Sequence, residues 1–180
     1  MDYTLLSSEP KFKGKAVKVW VERVRYPDGF VSDVEIVRHP GAVTIVPVDE
    51  SGAIWFVRQY RHPVWETLLE LPAGTLEPDE APAVTAAREI REEIGMTAKE
   101  LKELGSFYVS PGYSTENMVV YLATGLSPAP LEQDLGEQIV VEKYPLGAVY
   151  AMIDEGKIRD AKTLAAFLIA RDFLKEIIQD

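Results

Sequence analysis

Residues 74–96 limit what this chain can fold into more than any other segment. They read Gly74-Thr-Leu-Glu-Pro-Asp-Glu80, then seven residues, then Arg88-Glu-Ile-Arg-Glu-Glu-Ile-Gly-Met96. Local rules predict a helix here. Asp79 reads as its N-cap, Glu80 and Pro82 fall in the first turn where acid and proline are favoured, and Gly95 is its stop. Ala83, Ala87, Ile90 and Ile94 are spaced 4, 3 and 4, one apolar stripe of an amphipathic helix. Glu89 and Glu93 share a neighbouring face, with Glu92 at its edge. Like charges at that spacing cost a helix roughly 0.2–0.5 kcal/mol per pair. A divalent cation would reverse the sign.

Alone, a glutamate-rich helix face is usually a solvated one, and Arg88 with Glu92 is an ordinary i,i+4 pair. The argument for a site comes from Gly74, Glu80, Arg88 and Gly95 standing in register with the glutamates. Carboxylate oxygens, in a chain without cysteine and with no histidine nearby, suit hard Mg²⁺, with Mn²⁺ as the alternative, rather than zinc.

A net charge of −10 argues against nucleic acid as a partner, so a negative substrate must be drawn in by local positive charge. With 180 residues, 47% of them hydrophobic, the chain reads as a globular protein with no membrane span. The start Met1-Asp-Tyr-Thr has no basic, apolar leader, which makes the cytoplasm the default. Alternation predicts strands over residues 16–24 and 31–39, joined at Tyr26-Pro-Asp-Gly29. This gives an N-terminal β-hairpin region, residues 1–40, before a larger domain, residues 41–180. In the larger domain, strands are expected over residues 42–48, 54–59, 68–71, 104–109, 117–124 and from 139. Helices are expected over residues 146–155 and 161–178. Helices on both sides of a mixed sheet are the simplest α/β assembly.

The segment 74–96 resembles the signature of the Nudix hydrolases at every position. The resemblance implies an α/β/α sandwich and metal-dependent cleavage of a diphosphate linked to another group. Carried over position by position, the metal ligands are the Ala73 carbonyl, Glu89, Glu92 and Glu93. Arg88 is the arginine that orients those carboxylates. Ser110-Pro-Gly112, with Pro111 fifteen residues beyond Met96, is similar to the marker of the ADP-ribose pyrophosphatase subfamily. So are Glu35-Ile-Val-Arg-His-Pro-Gly41, Val57-Arg-Gln-Tyr-Arg61, Glu70-Leu-Pro-Ala-Gly74 and Ile158-Arg-Asp-Ala-Lys-Thr163.

That likeness implies hydrolysis of ADP-ribose to AMP and ribose 5-phosphate. Arg58, Arg61, Glu70, Pro111 and Gly112 would be the substrate-binding residues, although Arg58 also reads as a solvated strand charge and Glu70 as an arginine's structural partner. The hairpin would mediate a homodimer, with Trp20 or Tyr26 either stacking on the base or simply packing. Glu92, Glu93 and Glu137 are the catalytic candidates. The family's usual base position falls on Leu135, so Glu132, Asp134, Glu137 or a motif glutamate must serve. Other nucleoside diphosphate sugars, such as ADP-glucose or GDP-mannose, stay open as substrates, as does a non-catalytic ADP-ribose sensor.

Overall fold

The computed structural model describes residues 2–14, 17–132 and 138–179. Two compact units emerge, one of residues 1–41 and 108–117, the other of residues 42–107 and 118–180.

In the first unit, β1 (Thr4–Lys13), β2 (Lys18–Arg25) and β3 (Val31–Arg38) form an antiparallel sheet in that order. β2 and β3 are the hairpin expected from alternation. Its corner closes with the Gly29 N–H on the Tyr26 carbonyl at 2.9 Å, and Gly29 takes φ 88°, a conformation natural to glycine. β1 is an addition to the sequence expectation. Register shifts between Leu5 and Ser7 and between Pro10 and Phe12 break its period-2 pattern, and Pro10 is tolerated because β1 is an edge strand. The loop after residue 108 runs beside β3, where the Val37 N–H donates to the Tyr113 carbonyl at 2.7 Å. Trp20 lies beneath the Arg38 guanidinium, and Tyr26 packs on Tyr3 and Phe30.

The second unit holds β4 (Ala42–Pro47), β5 (Ala53–Arg61), β6 (Glu66–Glu70), β7 (Ala73–Thr75), α1 (Pro82–Ile94), β8 (Met96–Tyr108), β9 (Asn117–Pro128), β10 (Ile139–Pro145), α2 (Leu146–Asp154) and α3 (Ala161–Gln179). One sheet has the order β7-β4-β9-β8, with β4 parallel to β9 and antiparallel to β7. The other is β10-β5-β6, antiparallel throughout. All six residues of β4 are buried, which explains why the strand reads as an almost unbroken apolar run. Val43 and Ile45 pack with Ala86, Ile90 and Ile94 of α1. Val46, on the other face, packs with Val149 of α2 and with Phe167, Ala170 and Leu174 of α3. β9 divides in the same way, Tyr121 and Ala123 toward α1, Val120 and Leu122 toward α3. Helices therefore cover both faces of a mixed sheet, the α/β/α sandwich expected. No helix among the described residues is long and apolar enough to cross a membrane.

Two details of α1 differ from expectation. Its N-cap is Ala81, with Pro82 in the first turn; Asp79 lies outside in a left-handed conformation, φ 63°. The buried stripe is Thr85, Ala86, Ile90, Glu93 and Ile94, whereas Ala83 is exposed. Glu80 is fixed before the helix, accepting from the Glu77 N–H at 3.2 Å and the Thr85 hydroxyl at 2.8 Å, while Ile90 and Ile94 keep their expected place in the stripe.

Ile90 is fully buried at the centre of the α1 contact. Ile90→Ala should lower unfolding free energy by about 2–5 kcal/mol. The exposed Val84→Ala on the same helix should stay within about 0.5 kcal/mol, both measured by urea denaturation.

Candidate active site

The site is built where β6 runs through Pro72 into β7 and then α1. The Pro72 carbonyl accepts from the Ile45 N–H at 2.8 Å and the Thr44 hydroxyl at 3.3 Å, fixing the loop to buried β4. One residue on, the Ala73 N–H donates to Glu93 Oε2 at 2.9 Å, tying the loop to α1. Gly74 lies against the Glu89 carboxylate so closely that any Cβ there would collide with it. A side chain at position 74 would displace the Glu89 carboxylate from this place.

Arg88 organises the acids. Its Nη1 donates to Glu89 Oε1 and to Glu92 Oε2, each at 2.7 Å, while Nε and Nη2 both reach the Glu80 carboxylate at 3.2 Å. One guanidinium thus offsets the repulsion between Glu89 and Glu92. Glu93 is nearly inaccessible, with 4% of its surface exposed. Among the described residues, no three His, Cys, Asp or Glu side chains form a preassembled cation cage. The donor set nevertheless fits a hard divalent cation: Glu89 and Glu92 are brought together on Arg88 Nη1, and Glu93, on the same helix, is anchored beside the backbone of Ala73.

A second cluster surrounds Glu70, which is 1% exposed. Arg61 grips it side-on, Nε to Oε1 at 2.8 Å and Nη2 to Oε2 at 2.7 Å. Lys162 also donates to Oε2, and to Asp160 Oδ2 at 3.0 Å. Burial alone would push the Glu70 carboxyl up, but Arg61 and Lys162 outweigh it and hold the group below the usual range. The Arg61 guanidinium is raised chiefly by its hydrogen bonds to Glu70, with Glu93 and Asp160 adding to the negative field around it. The two clusters are therefore electrostatic neighbours. Side-on pairing leaves Arg61 Nη1 without a protein acceptor among the described residues.

Strand parity separates Arg58 from Arg61. Trp55 and Val57 pack toward α1, whereas Ile54 and Phe56 pack toward α3; Arg61 shares the first face and Arg58 the second. Arg58 is held there by Glu142, at 2.6 and 3.0 Å, with the Tyr144 hydroxyl on the same carboxylate. Pro111 and Gly112 form a turn in the first unit, closed by the Tyr113 N–H on the Ser110 carbonyl at 3.1 Å. Glu132 is exposed; Asp134, Leu135 and Glu137 lie outside the described residues. Sequence reasoning left Asp160, Lys162 and Thr163 without roles. The available signal was an Asp three residues before a Thr at the start of a helix, a capping pattern.

Glu80 gives a pH test. The Arg88 guanidinium, with the Thr85 hydroxyl, lowers its pKa to about 2. A depressed folded-state pKa contributes stability that is present above the ordinary carboxylate pKa, near 4.5, and lost as pH falls toward about 2. Between those pH values Glu80→Gln should show a smaller fall in Tm than the parent chain, read by calorimetry across the acid range.

Comparison with known proteins gives the same answer as the geometry. The NUDIX domain family matches residues 38–167. The chain is 40% identical over 176 residues to the ADP-ribose pyrophosphatase of Bacillus subtilis (strain 168), covering 97% of this chain and 94% of that one. It is also 40% identical to the methanol dehydrogenase activator of Bacillus methanolicus, over 89% of this chain and 88% of that one. A crystal structure of an ADP compounds hydrolase superposes with a TM-score of 0.88 at 25% identity, covering 98% of this chain and 96% of that one. The glutamate-bearing helix, the glycine loop beneath it and these matches agree: the chain belongs to the Nudix family of hydrolases.

Proposed function

We propose that this chain hydrolyses the pyrophosphate of ADP-ribose to AMP and ribose 5-phosphate with Mg²⁺, Mn²⁺ being the alternative ion. The observation that carries this reading is the gathering of motif carboxylates on the glycine loop, Glu89 packed against Gly74 and Glu93 tied to Ala73, with Glu92 joined to Glu89 through Arg88. Likeness to an ADP-ribose pyrophosphatase along almost the whole chain supports the substrate.

Glu89, Glu92, Glu93 and the Ala73 carbonyl would hold the cation, which when bound polarises phosphoryl oxygens and lowers the pKa of water. Arg88 keeps Glu89 and Glu92 together while the site is formed. Arg61, braced by Glu70, offers Nη1 to a phosphate oxygen, a pairing suited to its planar fork. The oxygen of a water attacks one phosphorus, the bridging P–O bond breaks, and the water's proton passes to a carboxylate. Glu92, Glu93 and Glu137 are the sources we consider for that base. Pro111 and Gly112 are proposed to contact substrate, and Glu70 acts through Arg61.

We assign residues 1–40 to dimerisation and substrate contact. All ten residues of β1 are exposed, Leu5, Leu6 and Phe12 among them, and a three-stranded sheet with such faces gains from being covered by a second copy. A small nucleotide substrate suits a cytoplasmic setting.

The test is mass-spectrometric product analysis with Mg²⁺ over ADP-ribose, ADP-glucose, GDP-mannose and NADH. ADP-ribose should be consumed fastest, giving AMP and ribose 5-phosphate, and Glu93→Gln should lower kcat by about 10²–10⁴. Faster turnover of another sugar nucleotide would overturn the substrate. No turnover with either ion would favour a binding role.

A further inference from the structure

The first turn of α3 does more than start a helix. Asp160 alone completes the cap: its Oδ2 accepts from the Thr163 N–H at 3.0 Å and from the Thr163 hydroxyl at 2.6 Å. Lys162 and Thr163 then reach across 92 residues of sequence to the strand that enters the active-site loop. Thr163, fully buried, accepts from the Leu71 N–H at 2.9 Å, one residue before Pro72. Lys162, its side chain 13% exposed, binds Glu70 on the same oxygen that Arg61 Nη2 uses. Neither contact is needed by the cap.

We propose that residues 160–163 are a two-armed positioning device whose arms serve different parts of the reaction. This rests on the functional reading above. Lys162 acts on the substrate side. With Arg61 it sets two cations against Glu70 and Asp160, a balanced group of four. Without Lys162, two anions face one cation, Arg61 is drawn onto Glu70, and a diphosphate meets a net negative charge. Thr163 acts on the metal side. Its bond to Leu71 fixes the chain entering Pro72-Ala73-Gly74, where the Ala73 N–H meets Glu93 and Gly74 receives Glu89.

The two arms should separate by experiment, with steady-state kinetics on ADP-ribose at saturating Mg²⁺ and Mn²⁺ binding followed by electron paramagnetic resonance. Lys162→Met should raise KM about 10- to 100-fold, kcat changing less, and leave the Mn²⁺ dissociation constant within about twofold. Thr163→Val should weaken Mn²⁺ binding about tenfold and leave KM at saturating metal within about twofold. Lys162→Arg and Thr163→Ser should restore most of each loss. If Lys162→Met does not fold, Lys162→Gln replaces it. Both variants shifting KM and metal affinity together with Tm, or neither shifting anything, would overturn the proposal. A parent chain that neither binds Mn²⁺ nor cleaves any nucleoside diphosphate sugar would instead overturn the functional reading on which it stands.

Discussion

The crowding of carboxylates on one helix is the constraint around which the rest of this structure is arranged. Glu89, Glu92 and Glu93 lie within two turns of α1, and a helix carrying them unsupported would be weakened by their repulsion. Arg88 solves the problem from within the same helix, reaching Glu89 and Glu92 with one nitrogen and Glu80 with the other two. The guanidinium has the five donors this needs; an ammonium has three and no fixed fork. On the function proposed, a positive group that draws two carboxylates together would also keep them near one another for a divalent cation.

Those acids are useful only if the loop beneath them is equally fixed, and burial on both faces of β4 provides that. β4 packs against α1 through Val43 and Ile45 and against the α3 side through Val46, so neither face can shift without disturbing a core. Pro72 hangs from β4 by two hydrogen bonds to its carbonyl, and Ala73 and Gly74 follow it directly beneath Glu93 and Glu89. The chain positions its chemistry by joining an irregular loop to its most buried strand.

How far this could be read from the sequence depended on the range of the signal. β4, β9 and α1 carry strong local patterns because each is packed along its length, and their predicted bounds fall within a few residues of the observed ones, whereas β8 begins at Met96, well before the strand expected from residue 104. β1 and β7 lack such patterns. Bulges interrupt the first, and the second has three residues, too few for any period to show. α1 starts at Pro82, after the Ala81 cap, and it is Glu80 rather than Asp79 that makes side-chain contacts there, including one to Arg88 eight residues away. The opposite faces of Arg58 and Arg61 were missed because the expected strand stopped at residue 59, whereas β5 continues to Arg61. The segment holding Lys162 was singled out but its role was not visible, since its partner lies 92 residues earlier in the chain.

That last contact also bears on why a Nudix chain would keep so many charges away from water. Buried ion pairs seldom add net stability; apolar side chains of similar volume often do as well or better. Glu70, 1% exposed and holding two cations, is therefore poorly explained as a stabilising device. It is better explained by geometry. A carboxylate that takes Nε and Nη2 of Arg61 fixes the plane of the guanidinium and directs the remaining nitrogen. Lys162, sharing that carboxylate, balances the charge of the group, which on the function proposed is where a negative substrate would approach. An apolar replacement could match the packing, but it could neither orient the guanidinium nor balance the charge.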